Sequence, residues 1–130
     1  MERSKDWIDS AEGDLEHAKH DLKHGFYNWA CFSSQQAAEK AVEAVFQKMG
    51  AQAWGHSVTD LLEELSEHFE VPEQLIDFAL EPDKTYIPAG YPDALPSGSP
   101  RSRYSKSEAE RMVHYAERIV QFCKDLISRI

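Results

Sequence analysis

Residues 27–49, "YNWACFSSQQAAEKAVEAVFQKM", constrain this chain more than any other stretch. Ala30, Cys31, Ala37, Ala38, Ala41, Val42, Val45, Phe46 and Met49 recur at helical spacing and cover roughly half the circumference of a helix. A helix apolar over so wide an arc cannot lie at the edge of a fold with one side in water. It must be covered from several directions, by other helices of the same chain or by a second subunit. The narrower remaining stripe is Trp29, Ser33, Gln36, Lys40, Glu43 and Gln47, and Gly50 closes the segment.

The rest of the chain supplies the cover. Trp7, Ile8, Ala11, Leu15, Ala18 and Leu22 fall on one face of a helix expected from Ser4 to Lys23, with Gly25 suited to a left-handed cap after it. Ser57 followed by Asp60 predicts the start of a short third helix through Val58, Leu61, Leu62 and Leu65. Pro72, favoured in a first turn, predicts a short fourth through Leu75, Ile76, Ala79 and Leu80. Ser105 and Glu108 form a second capping box, which opens a last helix at about Lys106 that continues to the C-terminus. Its expected buried face is Ala109, Met112, Val113, Ala116, Ile119, Val120, Cys123, Ile127 and Ile130.

With neither a strand pattern nor an internal repeat, the expected fold class is all-α. The expected architecture is an up-and-down antiparallel helical bundle of three long and two short helices, formed as one domain over residues 1–130. A long Pro/Tyr-rich loop precedes the last helix. Four prolines, two glycines and three tyrosines fall between Tyr86 and Tyr104, a composition that predicts a connection without regular secondary structure. Its first half, Tyr86 to Ala94, reads as a strap over the core, and its second half, carrying Arg101, Arg103 and Lys106, as a flexible basic flap.

Charge divides the chain. The net charge is −9, and residues 51–83 hold nine acids and no Lys or Arg, whereas residues 84–130 hold five acids against eight bases. An acidic total argues against nonspecific binding of duplex DNA, which needs many clustered cations. The basic C-terminal third still offers a local anion site, and the acidic half, residues 57–83, offers a surface for a basic partner. No apolar run approaches the eighteen or so residues of a membrane span, and the polar N-terminus is no secretory signal, so the expected address is the cytoplasm. Cys31 and Cys123 each fall within a helical pattern and read as buried small apolar groups rather than a disulfide or metal site.

Two clusters carry candidate chemistry. His17, His20 and His24 have a spacing that can chelate a metal, but they lie off the apolar stripe of their helix and read as a solvated face, so no metal or other cofactor is expected. Arg111, His114 and Arg118 gather on one side of the last helix, where an imidazole can act as general base and guanidinium groups can stabilise developing negative charge. Arg111 and His114 are weak catalytic candidates on that ground. On the second helix Lys40 can meet a phosphate, or pair with Glu43 one turn away.

Four pieces in order resemble a known family. "FYNWACFSSQQAAEKAVEAVFQKMG", "GHSVTDLLEEL", "YIPAGYPDA" and "YSKSEAERMVHYAERIVQFC" are similar to the HEPN domain, named for its occurrence in higher eukaryotes and prokaryotes and for nucleotide binding. The resemblance runs from about residue 7 to residue 127. It implies a helical bundle, usually a homodimer, often paired in prokaryotes with a separate minimal nucleotidyltransferase chain in a toxin-antitoxin-like arrangement. It also implies one of two biochemistries, a metal-independent ribonuclease or a noncatalytic nucleotide- or partner-binding domain. The ribonucleases use an Arg followed by four to six residues and a His; here only two residues separate Arg111 from His114 in "RMVH". Related sequences also often carry arginine where this chain has Gly90. The expected function is therefore binding of a nucleotide or RNA phosphate, of a nucleotidyltransferase partner, or of both. Arg101, Arg103, Lys106, Lys40, Tyr86, Tyr91 and Tyr104 are the candidate contacts. A metal-independent ribonuclease toxin and a noncatalytic protein-interaction module are the rival readings.

Overall fold

The computed structural model describes residues 2–53, 57–90, 98 and 100–130, with the backbone alone for residues 85–90 and for residue 100. Among them are six helices: α1 (Ser4–Lys23), α2 (Tyr27–Met49), α3 (Val58–Leu65), α4 (Glu73–Gly90), α5 (Pro100–Arg103) and α6 (Lys106–Arg129). The fold is all-helical, as the periodicity requires.

The boundaries follow local chemistry. Ser57 Oγ accepts the backbone N–H of Asp60 at 3.0 Å, and Ser105 Oγ accepts that of Glu108 at 3.1 Å, so both expected caps form. Gly25, after α1, has φ +83°, a conformation that side chains with a Cβ rarely adopt. α3 gains a second cap from a distance. The Asp83 carboxylate accepts the N–H groups of Val58 (2.9 Å) and Thr59 (2.8 Å) and the Thr59 hydroxyl. Two donors that the helix itself cannot satisfy are thereby paired with α4.

α2 is the centre of the bundle, in contact with α1, α3, α4, α5 and α6. Its wide apolar arc is thus covered by this one chain. Ala41, Val42, Val45 and Phe46 meet Leu61, Leu62 and Leu65 of α3, Leu75 and Ala79 of α4, and Ile119, Cys123 and Leu126 of α6 in the main core. Full burial of each large apolar side chain there contributes about 1.5–3 kcal/mol. A second, smaller core holds Ala30, Cys31, Tyr104, Ala109 and Met112, and it ties the approach to α6 onto the first turns of α2. Both cysteines are buried and free. Burial, helped by the nearby Glu108 and Glu81 carboxylates, pushes the Cys31 thiol up to about 12, and burial alone pushes Cys123 upward as well. They serve as small apolar groups.

The structure corrects the expected long loop. The fourth helix does not stop near Leu80 but runs to Gly90, and a further turn, α5, lies at Pro100–Arg103. Pro82 sits inside α4, where a missing N–H and a clash with the preceding turn cost about 3 kcal/mol. Tertiary contacts offset that cost, because the Pro82 ring is fully buried and Asp83 beside it is bound to the start of α3.

Candidate functional site

The outer face of α6 meets α4 in a mixed ionic and aromatic seam. Arg111, His114, Tyr115 and Arg118 stand three and four residues apart on one side of α6, and Phe78 and Glu81 stand three apart on α4. Arg111 donates from Nε to Glu81 Oε1 at 3.0 Å and from Nη2 to Glu81 Oε2 at 3.3 Å, a two-pronged pair. Its Nη1 donates to Ser107 Oγ at 3.0 Å, one turn back. The Glu81 carboxylate holds the guanidinium even more firmly in its charged form than usual.

One turn further along, Phe78 organises the aromatic part. Its ring stacks on Tyr115 with centroids 4.7 Å apart and planes 15° from parallel, and it takes the edge of His114 at 5.9 Å. The Arg118 guanidinium lies 5.9 Å from the Phe78 centroid, within reach of a cation-π interaction. His114 and Arg118 are exposed, so the seam presents an imidazole and a guanidinium to solution over an aromatic floor.

α5 brings further cations to the start of the same helix. Arg101, Arg103 and Lys106 are exposed. Gly98, at φ +74°, lies against the Arg103 side chain; a Cβ at that position would sit 3.1 Å from Arg103 Nε. Tyr104, by contrast, is buried against Cys31, Ala109 and Met112, and burial raises its hydroxyl to about 12. Its ring anchors the junction of α5 and α6. The backbone of Tyr86 lies in α4 and its side chain is outside the described part, as is the whole of Tyr91.

Lys40 is in another place. Its ammonium reaches Asp14 at 2.8 Å and Ser10 Oγ at 3.0 Å, both on α1, and does not pair with Glu43. α1 and α4 pack on different sides of α2, which separates Lys40 from the α4/α6 seam. On the same α1/α2 side, His17 Nδ1 lies 2.9 Å from Asp21 Oδ2 and 3.2 Å from Ser33 Oγ. A nucleophile relay needs serine and carboxylate on different ring nitrogens; here one nitrogen serves both, so the trio ties α1 to α2 and is not a hydrolytic triad. His20 and His24 stack on each other at 4.3 Å. Among the described residues no group of three His, Cys, Asp or Glu can hold a metal, and no helix is long and apolar enough to cross a membrane.

The periodicity of α6 shows Arg111, His114 and Arg118 together. The same spacing places Ser107 one turn before Arg111, but it does not show Phe78 or Glu81; their contacts cross thirty residues or more of sequence, and nothing in the local pattern marks them.

The family model for the HEPN domain matches residues 4–126. The chain belongs to the HEPN family. Among HEPN structures, it is 70% identical to an HEPN domain protein from Thermotoga maritima, over 95% of this chain and 98% of that one, with a TM-score of 0.80. It is 38% identical to ST0689, an archaeal HEPN homologue, over 98% and 99% of the two chains, with a TM-score of 0.81. TT1696 from Thermus thermophilus has a TM-score of 0.90 at 44% identity, over 96% and 98%. A Methanocaldococcus jannaschii protein named "Putative toxin MJ1304" is 28% identical over 95% of this HEPN chain and 88% of its own length.

Proposed function

We propose that this HEPN protein is a noncatalytic binder of a nucleotide or RNA phosphate, gripping it along α5 and the outer face of α6. It would act as a homodimer in a toxin-antitoxin-like pair with a minimal nucleotidyltransferase chain. Arg101, Arg103 and Lys106 make the first contacts with the phosphate, and His114 and Arg118 extend the cationic surface over the Phe78 ring. The observation that carries this reading is the run of exposed cations Arg101, Arg103, Lys106, His114 and Arg118 along α5 and the outer face of α6, beside an Arg111 fork that Glu81 and Ser107 engage in the unbound protein. The toxin name of the archaeal relative supports the toxin side of such a pair. Phe26 and Trp29, 43% and 45% exposed at the start of α2, are two neighbouring members of the exposed large apolar groups, beside Leu80 and Ile130 elsewhere, and a partner chain would cover them.

The test is a titration of the purified protein with a short labelled single-stranded oligoribonucleotide at low salt, with mass by light scattering on the same samples. Binding by the wild type and its loss in the Arg101→Glu, Arg103→Glu double variant is the expected result. Equal affinity in the double variant would remove α5 from the surface. Cleavage of the RNA without metal, stopped by His114→Ala, would replace binding with ribonuclease action.

A further inference from the structure

We propose that Glu81 is a built-in competitor for the anion that this surface binds. Its carboxylate occupies the Arg111 fork in the two-pronged geometry that a phosphate would adopt, so that the site is closed by its own side chain and opens when an incoming phosphate displaces it. The inference rests on the phosphate-binding reading given above and adds its regulation.

Three features of the fold make the pair a latch rather than a fixed strut. First, Ser107 Oγ takes a third donor of Arg111 at 3.0 Å. That contact lies within α6, so the guanidinium stays aimed outward whether or not Glu81 is present. Second, the pair is open to water, with side-chain exposures of 46% for Arg111 and 33% for Glu81, and an exchange of one anion for another needs no uncovering of core. Third, the α4 backbone around Glu81 is fixed. Ala79 and Pro82 are buried, and Asp83 is bound to the first N–H groups of α3. Release of Glu81 is therefore a side-chain rotation on a stationary helix. The exchange is a substitution at Arg111: one carboxylate leaves, one phosphate oxygen pair arrives, and the number of charge-assisted hydrogen bonds is conserved.

A latch of this kind sets a threshold. A monoanionic carboxylate metabolite meets a competitor of its own type held at high effective concentration, whereas a phosphate with greater charge and neighbouring contacts to Arg118 or to α5 can win.

The deciding experiment titrates wild type, Glu81→Gln, Arg111→Gln and the double variant with the same labelled oligoribonucleotide, with thermal melts confirming that all four are folded. Glu81→Gln is expected to bind about three- to ten-fold tighter and to steepen the salt dependence by roughly one phosphate contact. Arg111→Gln should bind more weakly than wild type, because it removes the fork that the phosphate takes over and leaves the Glu81 carboxylate uncompensated beside it, and the double variant should show no gain over wild type. A gain from Glu81→Gln that persists without Arg111 would mean that Glu81 acts only as a diffuse negative charge, and the latch would fall. If wild type binds through Arg101 and Arg103 and Glu81→Gln matches it, the latch falls while the binding surface stands. If none of the four binds, the surface and the latch fall together.

Discussion

The α1/α2 seam and the α4/α6 seam are both closed by a cation on one helix and a carboxylate on the other, yet they are built for different ends. Lys40 and Asp14 are each 29% exposed at the side chain, and Lys40 also holds Ser10. Arg111 and Glu81 are more open, and the cations beside them, His114 and Arg118, face solution. A half-buried pair loses little to screening and leaves a costly orphan when one member is removed. An exposed pair is worth little to stability and is free to change partners. The first seam sets the register of α1 on α2. The second leaves its cations open to solution.

The largest effect on this contrast is expected at Asp83, whose carboxylate is locked although Glu81, two residues before it on α4, is not. Asp83→Ala strands the N–H groups of Val58 and Thr59 at the start of α3 and should lower stability by about 2 kcal/mol. Urea unfolding measures it. A loss within error would mean that water replaces the carboxylate, and that α4 is not held where the latch needs it.

Lys40→Met should cost about 1 kcal/mol, since the Asp14 carboxylate would keep its partial burial and lose its cation. Its affinity for the oligoribonucleotide should match that of the wild type. A stable Lys40→Met protein that no longer binds RNA would invert the comparison and move the site to the α1/α2 side.

The same contrast explains what was legible in the sequence. The bounds of α1, α2, α3 and α6 could be read because each has a periodic apolar face and a local stop or cap, namely Gly25, Gly50, Ser57 and Ser105. The length of α4 could not be, because prolines at 82 and 88 carry the local signature of a break, and only the burial of Pro82 and the reach of Asp83 across to α3 overrule it. At the site, Arg111, His114 and Arg118 share a face through helical spacing alone. Glu81 and Phe78 join them through the packing of α4 on α6. Lys40 illustrates the converse: a lysine in a polar stripe looks available for a ligand until its partner on another helix is seen.

The smallest effect should come from Glu43, on the α2 surface toward α3. Burial first, and then the neighbouring Glu39 and Glu64 carboxylates, raise its carboxyl above the ordinary 4.5. The folded protein therefore keeps the Glu43 proton to higher pH than the unfolded chain does. Its contribution to stability is complete below 4.5 and is lost as pH rises through the raised value, where the folded state must carry a third negative charge beside two others. At neutral pH the ionised carboxylate is thus a mild liability, unlike the paired carboxylates Asp14, Glu81 and Asp83. Glu43→Gln should stabilise the protein at neutral pH by a few tenths of a kcal/mol, once solvent screening is counted, and by nothing near pH 4. Paired thermal melts at the two pH values check the sign. A variant less stable than wild type at neutral pH would show that Glu43 is held by a hydrogen bond worth more than the repulsion, and the carboxylates between α2 and α3 would then belong with the locked contacts of the fold.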